Sequence, residues 1–382
     1  MKKFNGYILL RNIIFGVMMM VFFPQQSMSL SYHDVDEAIK KGKAYYIQNH
    51  VRNVWQYVKN GGYIKIRDPK TGKNQNLGPN VYIECQVYDL THFLQHHEKL
   101  GIPKNDPLVT EIFQWFYKQY NAQIGYWPLW SAEGCLHFYG MKILNRFDHP
   151  KDAKKSFDWL QTSKLYLNPG WGGGSSGYLV QSWGDSKYSL TNRFYYSDYY
   201  MFNTEHTVKC LLSLSEMGYT IKDPLIKKHM DLVYEWLKTV YSTHKMTTSY
   251  FDEMIAISFV PELYEKYKIK DTAMIKHAYS HLNSILTIIK TLKGYPSPDD
   301  STYLAGQLLI FYERARRHID IPKDLSQKIA VDLIAKQKPD GRWALPPFSQ
   351  PKGLFISNLD GTGTLSAIFG LMEWLENNKP KK

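Results

Sequence analysis

The sequence lacks most of the marks that announce an enzyme's chemistry. It has only three cysteines, Cys85, Cys135 and Cys210. None stands at CxxC spacing, and an odd number excludes a complete disulfide framework. Buried free thiols are the expectation, with one disulfide left open for a chain in an oxidising compartment. There is no G-x-S-x-G elbow, no Walker A loop, no dinucleotide fingerprint and no H-E-x-x-H. The common hydrolase, nucleotide-binding and zinc-protease signatures are therefore missing. The run Gly170–Gly174 is glycine-rich, but it has neither the lysine nor the preceding strand of a phosphate cradle. No basic stripe or nucleic-acid motif is present, so nucleic acid is not an expected partner.

Long apolar runs are also missing, except at the start. Lys2, Lys3 and Arg11 flank the stretch Asn12 to Phe23, and Ser27-Met28-Ser29 follows with small residues. A dozen apolar residues are short for a span of roughly 20, and the pattern fits an export signal over residues 1–29, with an uncleaved membrane anchor as the alternative. Residues 30–382 would then be the mature chain, periplasmic or secreted, with no membrane span. The signal holds three positive charges and no acids, so its removal lowers the net charge from +12 to +9. A basic exported protein suits an acidic glycan or the cell envelope, although the charge serves solubility equally well.

What is plentiful is apolar and aromatic surface. Apolar residues make up 44% and aromatics 15%, enough for a large core. Tyrosine, at 29 copies, suits partly wet clefts. A local pattern recurs five times, in which a helical stretch is followed by Gly and then an aromatic. The sites are Gly62-Tyr63, Gly125-Tyr126-Trp127, Gly170-Trp171, Gly294-Tyr295 and Gly341-Arg342-Trp343. Glycine there can end a helix in the left-handed conformation. Amphipathic runs precede the turns, at Glu111–Tyr120, Ala153–Leu165, Ala278–Leu292 and Leu325–Gln337. Leu225–Val240 is a further run. The helices read after the turns begin near Tyr82, Ser131, Asn203, Phe251, Asp299 and Thr362, and are apolar on most faces, as surrounded helices are.

Each of these inner helices opens with an acid: Glu84, Glu133, Glu205, Glu253, Asp300 and Asp360. The gaps are 49, 72, 48, 47 and 60 residues, and the two long ones contain the insertions Gly172–Met201 and Ala344–Leu359. A period near 48 fits two helices and their connections. The expected fold is all-α, an (α/α)6 toroid of about six helical hairpins, with an open helical solenoid as the alternative. Residues 61–79 break the pattern and read as a small β-hairpin.

Gln337-Lys338-Pro339-Asp340-Gly341-Arg342-Trp343 resembles the Gln-x-x-Asp-Gly-x-Trp repeat of the terpenoid cyclase and protein prenyltransferase superfamily. Trp159-Leu160-Gln161 followed by Gly170-Trp171-Gly172-Gly173 is similar to a looser copy. The resemblance implies an α/α toroid in which the repeat ties an outer helix to the following turn. It also sets Ser297-Pro298-Asp299-Asp300 beside the cyclases' Asp-x-Asp-Asp acid, with the first Asp replaced by Ser297. The prenyltransferase zinc set is not recognisable. Many activities share such barrels, some of them on polysaccharides.

Inner-helix N-termini converging at one mouth would carry these acids with them. They are either helix caps or part of a functional cleft. Glu205-His206, preceded by Arg193 and Tyr199, has the groups to abstract a proton next to a uronate carboxylate and to neutralise that carboxylate; the alternative is a loop whose aromatics pack over the ring. Asp299-Asp300 and Asp252-Glu253 are paired acids of the kind that cleave glycosides when two hairpins bring them together. The remaining mouth acids, Glu84, Glu133 and Asp360, together with Trp127, Trp171 and Trp183, are candidate substrate contacts. Trp343 reads as a structural plug. His92 and His96 share a helix face but have no evident third ligand, so a polar helix end is expected and no metal is assigned. No cofactor is called for, though the mouth carboxylates could also hold a cation such as calcium. Three functions stay open: an acid–base lyase or hydrolase acting on a polysaccharide, a cyclase-like enzyme using Asp299, and a non-catalytic envelope or glycan-binding protein. The sequence does not decide the oligomeric state.

Overall fold

A computed structural model describes residues 30–60, 66–67, 74–75, 89–123, 125, 127, 134–162, 208–238, 250–291, 299, 301–343 and 359–379. The described residues form six helical hairpins. The first outer helix runs from α1 (Tyr32–Tyr45) through a π-helical turn (Tyr46–Val51) into α2 (Arg52–Lys59). Its inner partner is α3, residues 89–96. The next two pairs are α4 (Pro107–Lys118) with α5 (Gly134–Arg146), and α6 (Pro150–Thr162) with α7, residues 208–216. The fourth outer helix is α8 (Pro224–Leu237), and its inner partner is broken into α9 (Tyr250–Ser258) and α10 (Val260–Lys266). Pro261 explains that break, because a proline fits only in a helix's first turn. The last pairs are α11 (Ala273–Ile289) with α12 (Thr302–Ala315), and α13 (Lys323–Lys336) with α14 (Leu359–Asn377).

Local chemistry sets the helix starts. Ser31 accepts the Asp34 amide at 3.1 Å, Asp106 accepts the Leu108 amide at 2.8 Å just before Pro107, and Ser301 accepts the Leu304 amide at 3.4 Å. Each satisfies an amide that has no partner inside the helix. The inner and outer roles follow from polarity. Twelve of the residues of α12 are buried, whereas α13 buries only Ser326, Ala330 and Leu333. An outer helix needs one apolar stripe, while an inner one is surrounded.

The inner helices close into a ring that can be walked contact by contact. The His92 ring of α3 lies 5.1 Å from Tyr139 of α5. Lys209 of α7 sits 5.2 Å over Tyr139 and 5.8 Å over Phe259, at the α9–α10 bend. Ser258 donates to Gln307 of α12 at 2.7 Å, and Gln307 donates to Ser366 of α14 at 3.1 Å. Phe369 of α14 returns to His96 of α3 at 4.8 Å. The fold is therefore all-α and toroidal, and the open solenoid is excluded.

The seam between the sixth and first units is built like an internal joint. Gly341, at φ +94°, packs against the Lys41 carbonyl of α1 so closely that a Cβ would overlap it. Gly125, at φ +96°, packs in the same way against the Lys155 carbonyl of α6. In both cases a Gly-aromatic turn rests on the outer helix of the next unit, and the N-terminal helix serves as the seventh. Gln337 completes the seam by donating to the Ala38 carbonyl at 2.8 Å and the Gly341 carbonyl at 3.0 Å. Trp343 is fully buried there, and its indole N–H donates to the Leu333 carbonyl at 2.6 Å. The tie expected from the repeat motif is thus present.

Within the 61–79 segment, Ile66–Arg67 pairs antiparallel with Asn74–Gln75, Ile66 opposite Gln75. No described helix is long and apolar enough to cross a membrane.

Candidate functional site

The connections leaving the inner helices are short: 97–106, 147–149, 217–223, 267–272 and 316–322, while most of the residues that precede the inner helices lie outside the described residues.

The inner helices' C-terminal mouth is closed by charge. Arg146 of α5 grips Glu216 of α7 through two bonds of 2.7 and 2.8 Å, and Lys142 joins them at 2.9 Å. Arg146 also donates to the Gln95 carbonyl of α3. Across the barrel, Arg314 of α12 bonds Glu262 of α10 at 2.6 Å and Glu373 of α14 at 2.7 Å. Lys99, just beyond α3, lies 3.5 Å from Glu373. Every inner helix contributes to this floor. Burial alone would raise the Glu262 carboxyl, but Arg314, Lys142 and Lys99 together pull it down to about 2. Lys99 and Lys142 reach Glu262 from the first and second units, so the charges act on one another through the barrel's interior. Burial raises and Lys142 and Arg146 outweigh it at Glu216, which is also held below the usual carboxylate range.

Above the floor His92, His96, Tyr139, Lys142 and Lys209 come together. His92 and His96 are four apart on α3, so they share a face, and their rings stack at 6.2 Å. They touch helices on either side of α3. Burial, then Lys209 and Lys142, lowers the His92 pKa to about 3. Burial, then Lys142, His92, Lys99 and Arg146, holds His96 neutral as well. Lys142 and Lys209 are only 8% and 5% exposed, which is unusual for lysine. Lys142 is paired with Glu216, and Lys209 lies over the Tyr139 and Phe259 rings.

The expected site residues fare unevenly. Glu205, His206, Tyr199, Arg193, Asp300, Glu84, Glu133, Trp171 and Trp183 lie outside the described residues, as do the side chains of Asp252 and Asp360. Asp299 is exposed at a turn, where its backbone carbonyl accepts from the Lys336 ammonium. It does not point into an enclosed apolar cavity, which the cyclase alternative required. Glu253 is fully buried against His281 of outer helix α11, Nε2 to Oε2 3.7 Å, and so sits between helix layers. Trp127 is fully buried and donates to the Phe116 carbonyl at 3.2 Å, leaving no face for a sugar. His92 and His96 are not a polar helix end but pack against inner helices on both sides. The cations Lys142, Arg146, Lys209 and Arg314 were missed. Their signal was present, as charged residues at i, i+3, i+4 and i+7 steps on otherwise apolar inner helices. Cys210 is a buried free thiol. Among the described residues no cluster of three His, Cys, Asp or Glu side chains could hold a metal ion.

No family model and no curated protein matches the chain. Two solved structures resemble it at low similarity. One is described as a possible member of GH105 family from Salmonella enterica subsp. enterica serovar Paratyphi A str. ATCC 9150, at 11% identity and TM-score 0.48, covering 93% of this chain and 97% of that one. The other is described as a possible member of the same family from Klebsiella pneumoniae subsp. pneumoniae MGH 78578, at 10% identity and TM-score 0.46, covering 94% of this chain and 96% of that one.

Proposed function

We propose that the chain is an exported enzyme that cleaves an acidic polysaccharide by β-elimination next to a uronate carboxylate. The observation that carries this reading is the pair of buried lysines, Lys142 and Lys209, beside the buried His92. Lys142 and Lys209 supply the charge that a uronate carboxylate needs, and its neutralisation makes the adjacent C5 proton removable. His92 is unprotonated at neutral pH, since burial and the two lysines lower its pKa to about 3. It is placed to accept that proton. Removal of residues 1–29 on export would bring the basic mature chain to such a glycan outside the cell. Glu205, His206, Tyr199 and Arg193 remain candidate partners in the proton transfers. Asp300, Glu84, Glu133, Asp252, Asp360, Trp171 and Trp183 remain candidate substrate contacts.

The test is activity of purified residues 30–382 on a panel of uronate-containing and neutral glycans. Elimination creates an unsaturated sugar, so ultraviolet absorbance rises together with new chain ends on the uronate glycans alone. New reducing ends without absorbance would replace elimination by hydrolysis. Cleavage of neutral glycans only would overturn the acidic substrate.

A further inference from the structure

Helix α3 carries an acid, Asp89, that the sequence did not single out. Asp89 stands three residues before His92 and seven before His96, which places all three on one helix face. It is only 4% exposed. Beside it stands His50, 8% exposed, whose Nε2 lies 3.4 Å from Asp89 Oδ2. That separation exceeds an ordinary hydrogen bond, and neither atom has a hydrogen-bond partner among the described residues. Each unsatisfied buried group costs about 1–3 kcal/mol.

His50 arrives from the outer layer by an unusual route. It belongs to the π-helical turn Tyr46–Val51, and its ring stacks on Tyr46 at 5.5 Å. Single π turns inside helices are frequent at functional sites. The imidazole then fills the space in front of Gly361, at the start of α14, where any Cβ would overlap it. Three elements, the π turn, α3 and the first turn of α14, thus converge on one carboxyl. Burial pushes the Asp89 pKa up, with His50 opposing.

We propose that Asp89 is the acid that protonates the leaving oxygen, with His50 as its positioning residue. This inference rests on the elimination reading above. In the step, His92 takes the C5 proton, and the C–H electron pair forms the C4–C5 double bond. The C4–O bond breaks, and the departing oxygen takes the proton of Asp89. Water then carries the proton from His92 to Asp89, one helical turn away, which restores both groups without net consumption of water.

The test uses Asp89→Asn in residues 30–382. On a uronate polymer, kcat falls by about 100-fold with KM unchanged, the usual size of a lost general acid. On a synthetic uronide whose scissile oxygen is a nitrophenolate, which leaves without protonation, kcat falls by less than about threefold. Full activity on the polymer, or an equal loss on both substrates, would overturn the proposal while leaving the elimination reading standing. A wild-type chain inactive on every uronate glycan would overturn both. If the Asn variant does not fold, His50→Gln provides the second variant, and the expected result is the same substrate split in weaker form. Equal losses on both substrates in that variant would also overturn the proposal.

Discussion

Replacing Arg314 by Met lowers the unfolding free energy by about 3–5 kcal/mol at neutral pH, the cost of leaving buried carboxylates without their main partner. Arg314 is the hinge of the floor, since it holds Glu262 at 2.6 Å and Glu373 at 2.7 Å with its side chain 11% exposed. Burial disfavours its charge, but the two carboxylates outweigh this and raise its pKa further. The pH dependence follows from Glu262. Its folded pKa of about 2 lies below the ordinary 4.5, so its contribution is complete above pH 4.5 and is lost as pH falls towards 2. The shift corresponds to about 3 kcal/mol. The Met variant lacks the partner responsible, so its deficit shrinks over the same window. Urea unfolding at pH 7 and pH 3 reads both numbers. A deficit under about 1 kcal/mol at pH 7 or one independent of pH would show that the floor is not held by charge. Adding Glu262→Gln and Glu373→Gln to Arg314→Met recovers part of the loss, because uncompensated charge is what hurts.

Replacing Trp343 by Ala costs about 3–5 kcal/mol, the range for truncating a fully buried aromatic. The effect is local as well as large. Trp343 donates to the Leu333 carbonyl, its backbone amide donates to Thr364 at 3.0 Å, and its ring rests on Gly42 of α1. The α1 amides therefore exchange faster with solvent in this variant. Trp127→Ala removes the matching plug over Gly140 and loosens α5 instead. Hydrogen exchange mapped by peptide separates the two. Equal protection of α1 in both variants would mean that the seam is not a joint like the others.

Much of the ring was legible because repetition is a property of the sequence itself. The Gly-aromatic turns at Gly125 and Gly341 mark where outer helices end, those at Gly62, Gly170 and Gly294 lying outside the described residues, and the period near 48 counts the units. The Gln337–Trp343 motif behaves as its residues suggest. The π turn at Tyr46–Val51 was not legible, since no proline or glycine marks it. Facing was the harder problem. Glu253 and Asp299 occupy inner-helix starts in the sequence, yet one faces the outer layer and the other solvent. Rotation of a helix about its axis is fixed by packing, and an acid in a first turn is served equally well on either side. The interior cations stayed hidden for a related reason. Lys142, Lys209 and Arg314 come from three units, and only closure makes them neighbours. His50 and Asp89 are joined by the same closure, through Gly361 of the last inner helix.

The structure of residues 30–382 with a short uronate oligosaccharide bound tests the account most directly. The account places a sugar carboxylate at about 2.8 Å from the ammonium of Lys209 or Lys142, above the Glu262–Arg314–Glu373 floor, with C5 facing His92. An oligosaccharide held on the outer surface, with the lumen left to water, would contradict it.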